Sequence, residues 1–432
     1  MRRIIYAITF ILVFFLFGSV LLPFADADWV MYRSNPSQSS NISSYNVARM
    51  PKQTWTSTIP AGYSTSPIVD NGIIYIGTGD GNICALRASS GTKIWNYTLS
   101  THIVTSCPVI AQGIVYICSN LTIYALDAST GEKIWSCSDA AFGSSPAVVD
   151  GIVYVCSSGS VYALDALDGS ELWNYPLGGV ASKGTPVVYE GVVYVGGGPI
   201  DRGIYALDAL TGEQIWSYTP EWYKNTPWVS APAIADGMLF YSTNHRIYGL
   251  TLDNGTEVWH NVIHAESSPA VANGMVFLGS GIFGNPLPSC CAFDAKTGRQ
   301  LWNYSASWGS AVYPEVGEVV FFSSFSDPAV REGVVYFCSS DKNVYALDAA
   351  TGELVWKYST NNTKSSIVSD LVLLSPVVGR GEVFVCSSDG VLYAIVTDSR
   401  IIYFILAFLL VIVTFIVTVF VVVRLFKKYC VR

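Results

Sequence analysis

Between Tyr345 and Trp356 the chain reads YALDAATGELVW, and the chemistry of this stretch decides the fold. Tyr345, Ala346 and Leu347 close an apolar strand. Asp348 opens a turn, because its short carboxylate can accept hydrogen bonds from backbone amides two or three residues ahead. Gly352 supplies a positive φ that residues with a Cβ resist. Glu353 to Trp356 then begin a return strand. The unit is a β-hairpin ending in a large aromatic side chain that requires burial.

The unit recurs, and with it two further signals. A small residue followed by Pro stands at Ser66-Pro67, Cys107-Pro108, Ser145-Pro146, Thr185-Pro186, Ala231-Pro232, Ser268-Pro269, Asp327-Pro328 and Ser375-Pro376. Each pair leads into a short strand, A. A second strand, B, starts at a Gly and runs through β-branched and aromatic residues, as in GIIYIG from Gly72, GIVYVC from Gly151 and GVVYFC from Gly333. These B strands are apolar on both faces, which suits sheets sandwiched between neighbouring sheets. The opening hairpin supplies strands C and D.

Strands A and B each occur eight times, whereas the D-strand Trp follows only seven C strands, at Trp95, Trp135, Trp173, Trp216, Trp259, Trp302 and Trp356. The eighth C strand, Val391 to Ile395, has no D strand after it. The missing Trp is at the other end of the chain, where Lys52-Gln53-Thr54-Trp55 precedes the first Ser-Pro pair. The N-terminal segment is therefore expected to complete the last sheet and close an all-β, eight-bladed propeller spanning 52–398, which leaves no free sheet edge at the join.

The copies ALDASTGEKIW, ALDALTGEQIW, AFDAKTGRQLW and ALDAATGELVW share the pattern A-x-D-x-x-T-G-x-x-x-W, which resembles the repeat of the PQQ-type β-propellers. That family includes quinoprotein alcohol dehydrogenases and non-catalytic BamB-like assembly factors. The resemblance covers Lys52 to Ile395. It implies that each Trp docks on the Gly-containing turn of a neighbouring blade. Arg87, Thr251 and Val396 replace the repeat Asp in blades one, five and eight, where looser turns are expected.

The ends carry different signals. Arg2 and Arg3 precede an apolar run from Ile4 to Phe24, and Ala25-Asp26-Ala27 offers small residues to a signal peptidase, so 1–27 reads as a leader and an uncleaved anchor is the alternative. A polar extension, 28–51, follows, with Trp29 and Tyr32 as expected anchors. At the other end, 401–423 is an uncharged run long enough to span a bilayer as a helix. Arg424, Lys427, Lys428 and Arg432 in the tail 424–432 place that tail in the cytoplasm and the propeller outside the cell membrane. The outer segment 28–398 carries 17 Lys and Arg against 31 Asp and Glu, a balance unsuited to nucleic acid. Six N-x-S/T acceptors, at Asn41, Asn96, Asn120, Asn254, Asn303 and Asn361, are compatible with glycosylation on that side.

Candidate chemistry divides three ways. A dehydrogenase holding pyrroloquinoline quinone and calcium is what one branch of the resemblance implies. Against it, the outer segment has little spare length for roofing loops, and no C-x-x-C-H haem site is present. Cys290-Cys291 is adjacent in sequence, as in some quinoproteins, but Cys291 falls at the Tyr position of strand C, inside a blade. Cys118, Cys156, Cys338 and Cys386 share a column of strand B that suits small buried residues. His260 and His264 lack a third ligand at metal-site spacing. No catalytic, cofactor or metal residue is therefore assigned. The second reading is a non-catalytic scaffold or assembly factor for protein partners, and the third a glycan-binding module. Both draw on the long B-to-C and D-to-A connections of blades four to eight, which collect on one face and bring Trp222, Tyr223, Trp228, Phe283, Trp308 and Tyr313 to it.

The leader assignment has a direct check: N-terminal sequencing of the mature chain is expected to begin at Asp28, and a chain beginning at Met1 gives the uncleaved anchor instead.

Overall fold

The computed structural model describes residues 47–398 apart from 60–64, 100–103, 105, 120, 143, 158, 178–183, 198–202, 222–228, 264, 266, 281–288, 307–308, 314–317, 323–325, 340, 361–373, 380 and 388–389. The leader, most of the 28–51 extension, the predicted spanning helix and the basic tail lie outside the described residues.

Eight four-stranded antiparallel units form the ring. Blade one comprises Ile68–Asp70, Ile73–Gly77, Asn82–Arg87 and Lys93–Thr98, paired in chain order. The A strands are buried and approach the A strands of neighbouring blades, so they line the axis. The D strands alternate exposed and half-buried residues and form the outer rim. B strands such as Ile152–Ser157 and Val334–Ser339 are buried at every residue. The B-strand cysteines Cys118, Cys156, Cys338 and Cys386 are buried and not disulfide-bonded, as are Cys290 and Cys291 within strand Ser289–Asp294.

Local chemistry explains the tight A-to-B turn. Asn71 has φ 48° and Gly72 φ 75°. Positive φ at both central residues of a two-residue loop is the type I′ hairpin, whose twist matches that of the strands. The C-to-D turn is held by the repeat Asp. Asp127 Oδ1 accepts hydrogen bonds from the Ser129 and Thr130 amides at 2.9 and 2.8 Å, and Asp348 treats Ala350 and Thr351 alike. Where Thr251 replaces the Asp, its hydroxyl donates to Asn254 Oδ1, which also accepts from the Thr256 amide. The loosening expected there is met by a substitute network.

The D-strand Trp joins blade to blade. The Nε1 of Trp95 donates to the Ala128 carbonyl at 3.0 Å, and that of Trp135 to Ala166 at 2.9 Å. Trp55, Trp173, Trp216, Trp259 and Trp302 repeat the bond to Ala88, Ala209, Leu252, Ala295 and Ala349. The indole lies against the next turn so closely that a Cβ on Gly131 would sit 2.6 Å from Trp95 Cε3. In three blades a B-strand Tyr uses the same carbonyl: Tyr75, Tyr116 and Tyr154 donate to Ala128, Ala166 and Ala209. Both lone pairs of those oxygens are thereby engaged.

Trp356 departs from this scheme. Blade eight has no C-to-D turn to receive it, because its C strand runs straight on as Val391–Asp398. The ring of Trp356 is buried, and its Nε1 has no hydrogen-bond partner among the described residues. The docking expected of all eight Trp is thus made by seven.

Closure follows the sequence expectation. Val47–Thr58 pairs antiparallel with Val391–Asp398, placing Trp55 opposite Ala394 and Thr58 opposite Val391. Two links join it to its surroundings: Thr54 Oγ1 donates to Glu382 Oε1 at 3.2 Å, and Tyr358 Oη donates to Gln53 Oε1 at 2.7 Å. One element lies outside the repeat. Gly309–Tyr313 and Glu318–Phe322 form a hairpin within the connection before blade seven, a segment read from sequence as a long loop.

Two outcomes are expected in thermal unfolding of the full-length protein. Trp135→Ala costs about 3–5 kcal/mol, and Trp135→Phe exceeds Trp356→Phe in cost by about 1 kcal/mol, since only the former loses a hydrogen bond. Equal Tm losses for the two Phe variants would contradict the difference in bonding. The second outcome concerns Glu382, whose carboxyl burial holds above its ordinary value, with the Thr54 hydroxyl offsetting part of the rise. A pKa higher in the folded state means that the cost of the ionised form is absent below the unfolded pKa and grows as pH rises through it toward the folded value. Glu382→Gln is therefore expected to raise Tm at pH 7 and to leave it unchanged below about pH 4.

Candidate functional site

The residue before each A-strand Pro sits where the D-to-A connection meets the axis. These positions are Ser66, Cys107, Ser145, Thr185, Ala231, Ser268, Asp327 and Ser375. They are positioned by a hydroxyl one residue earlier that caps the end of strand B. Thr65 Oγ1 accepts from the Gly77 amide at 3.0 Å, Ser106 Oγ from Cys118 at 2.8 Å and Ser144 Oγ from Cys156 at 2.9 Å. Ser230, Ser267 and Ser326 do the same for Ser242, Gly279 and Cys338. The sequence reading missed these hydroxyls, although Ser or Thr two residues before Pro in six of the eight repeats was the available signal.

Neighbouring members of the ring bond to one another around the axis. The Cys107 amide donates to Ser145 Oγ at 3.0 Å. The Ser268 amide donates to Asp327 Oδ1, and the Asp327 amide donates to Ser375 Oγ at 3.2 Å. Burial pushes the Cys107 thiol up to about 11, partly offset by hydrogen bonds from Ser66 and Ser145, while the charge of Asp327 adds to the rise. The mouth of the axis is therefore a collar of hydroxyls, one protonated thiol and one carboxylate.

D-to-A and B-to-C connections lie on this same face, since Val104, Val229 and Ala265 bridge to Ser119, Thr243 and Ser280 at the ends of B strands. That is the face on which the long loops were expected. Trp222, Tyr223, Trp228, Phe283 and Trp308 lie outside the described residues. Tyr313 ends the first strand of the inserted hairpin, opposite Glu318. Of the six sequons, Asn96, Asn254 and Asn303 are described and exposed, whereas Asn41, Asn120 and Asn361 lie outside the described residues.

A family model described as outer membrane protein assembly factor BamB matches residues 39–199, 119–267 and 201–401. The chain belongs to this family of PQQ-like propellers. No curated protein matches it by sequence. Among solved structures, BamB from Moraxella catarrhalis is 17% identical, with a TM-score of 0.64, and the match covers 81% of this chain and 98% of that one. The quinohemoprotein alcohol dehydrogenase from Comamonas testosteroni is 15% identical, with a TM-score of 0.67 and coverage of 86% and 80%. A europium-containing methanol dehydrogenase is 14% identical, with a TM-score of 0.66 and coverage of 83% and 89%. At these identities the likeness carries the fold alone.

The propeller family includes quinone-dependent members, so the collar is the place to ask whether such a cofactor fits. A quinone bearing several carboxylates, together with a divalent cation, calls for cationic side chains and multiple oxygen donors of high charge. The collar supplies one carboxylate, whose Oδ1 already accepts the Ser268 amide, and none of its eight residues is Lys or Arg. This donor set does not match the group.

The collar makes two expectations measurable in the full-length protein. Cys107 is expected to resist alkylation by iodoacetamide at pH 8 until the ring unfolds. Asp327→Ala, which removes the Oδ1 acceptor from Ser268, is expected to cost about 1–3 kcal/mol by the shift in thermal unfolding.

Proposed function

We propose that this propeller is a non-catalytic binding scaffold for protein partners, held outside the cell membrane by its C-terminal segment. The observation that carries the reading is the collar, where two runs of neighbours are tied together: the Cys107 amide to the Ser145 hydroxyl, and the Ser268 and Asp327 amides to the Asp327 carboxylate and the Ser375 hydroxyl. A site built to do chemistry needs groups aimed at a substrate. The family description, an assembly factor, supports the same reading. Binding falls to the long connections of blades four to eight, where Trp222, Trp228 and Trp308 supply large apolar anchors of the kind enriched at protein interfaces.

Crosslinking of the full-length protein in intact cells tests the scaffold. The wild type is expected to give a reproducible crosslinked partner, and the triple variant W222A/W228A/W308A to lose it with an unchanged Tm. Retention of the partner by the triple variant would sink the assigned face. Dye reduction by the purified protein, supplied with pyrroloquinoline quinone, calcium and a primary alcohol, would overturn the non-catalytic reading.

A further inference from the structure

The outer rim is regular enough for its exceptions to carry information. At each junction the residue after the D-strand Trp sits over a C-strand side chain of its own blade, beside a D-strand side chain of the preceding blade. Lys357 pairs with Tyr345, and its Nζ lies 5.2 Å from the centre of that ring. His260 pairs with Tyr248, their rings 5.8 Å apart. The preceding blade adds a second ring: Tyr304 packs on Tyr345 at 5.8 Å and Tyr218 on Tyr248 at 6.2 Å. Tyr175 on Tyr205 and Tyr358 on Tyr393 continue the pattern.

Two junctions break it. In blade one the paired residues are Cys84 and Asn96, and in blade six Cys291 and Asn303. The preceding D strands contribute Ser57 and Asn261 at the position that carries Tyr in five other junctions. Both bulky rings are thus replaced by small residues at the same two places, and at those two places the exposed rim residue is the Asn of an N-x-S/T sequon: Asn96-Tyr97-Thr98 and Asn303-Tyr304-Ser305. The Asn96 side chain makes no hydrogen bond among the described residues. Asn303 only accepts one, from Cys291 Sγ at 3.5 Å. Asn174 is the contrast. It holds the same register position but faces Tyr162, its Nδ2 donates to Glu171 Oε1 at 2.5 Å, and Pro176 denies it a sequon. Asn254 is exposed as well, but its Oδ1 organises the turn that lacks the repeat Asp, which accounts for an Asn there without a glycan.

We infer that Asn96 and Asn303 are N-glycan acceptors, each standing at a rim position where small residues replace the two tyrosines that crowd other junctions. The inference rests on the outward placement proposed above. The donor class is a polyisoprenoid phosphate- or diphosphate-linked glycan delivered by a membrane transferase. The amide nitrogen bonds to C1 of the sugar, the C1–O bond to phosphate breaks, the lipid phosphate leaves with the bonding pair, and one amide proton is released. The glycans would stand on D strands, the exposed sheet edges at which chains otherwise pair.

Full-length protein from host cells that perform N-glycosylation is digested and mapped by mass spectrometry. Glycan mass is expected on the Asn96 and Asn303 peptides, with N96Q and N303Q each removing one glycan. Rebuilding the aromatic cover with S57Y/C84Y is expected to lower occupancy at Asn96 several-fold while Asn303, an internal control for folding and export, stays unchanged. Unaltered occupancy at Asn96 in that variant overturns the argument from the missing tyrosines. Glycan confined to Asn120 or Asn361 overturns the assignment and leaves the outward placement standing. A membrane-impermeant amine reagent on intact cells reads that placement separately: labelling of the propeller with Asn96 and Asn303 bare overturns this inference alone, and no labelling overturns both.

Discussion

Everything in this ring depends on an indole lying flat on a glycine. The D-strand Trp of one blade meets the C-to-D turn of the next, where a residue in the left-handed region without a Cβ leaves room for the ring, and a carbonyl at the turn takes the indole N–H. Each requirement constrains the others. The turn needs Gly for its φ, the ring needs Gly for its space, and the carbonyl is aimed by the Asp that caps the turn. A large apolar surface is buried and its one polar atom satisfied in a single contact, the condition under which a buried Trp stabilises most. Repeated blade after blade, that contact converts eight marginal four-stranded sheets into one cooperative body.

The axis is organised by smaller groups. Hydroxyls two residues before the A-strand Pro tie the incoming chain to the end of strand B, which sets the collar residues at a common height. A buried polar ring is favourable only when its members satisfy one another. In the collar, amide-to-side-chain bonds tie Cys107 to Ser145 and run from Ser268 through Asp327 to Ser375, with the hydroxyls around Cys107 serving its thiol as well.

Most of the architecture was legible because it is repeated. One such hairpin could arise by chance, but seven ending in Trp, four of them with the full A-x-D-x-x-T-G-x-x-x-W pattern, together with Trp55 displaced to the other end of the chain, required the closure later seen between Trp55 and Ala394. What the repeat does not contain could not be read from it. The hairpin Gly309–Tyr313 with Glu318–Phe322 has no second copy for comparison. The capping hydroxyls were in view but concealed by a pattern anchored on Pro. The orphaned Nε1 of Trp356 follows from a missing partner in the next blade, information that lies well downstream of Trp356 itself. The aromatics assigned to the binding face sit in the least repetitive segments, where sequence offers composition without register.

The closing blade has a mechanical consequence. In six blades the last strand of the sheet is an edge, bonded on one side only, and in blade two Lys133–Phe142 gains just one pairing with blade three, at Phe142. In the eighth, Val391–Asp398 lies between Glu382–Cys386 and Val47–Thr58 and is bonded on both. A pull applied beyond Asp398, as a tether there would exert, enters the ring through an interior strand. Because the neighbours run antiparallel on either side, extraction must shear two ladders at once and cannot peel one bond at a time. Borrowing its outer strand from the start of the chain therefore gives the propeller its strongest grip at the end where tension would arrive.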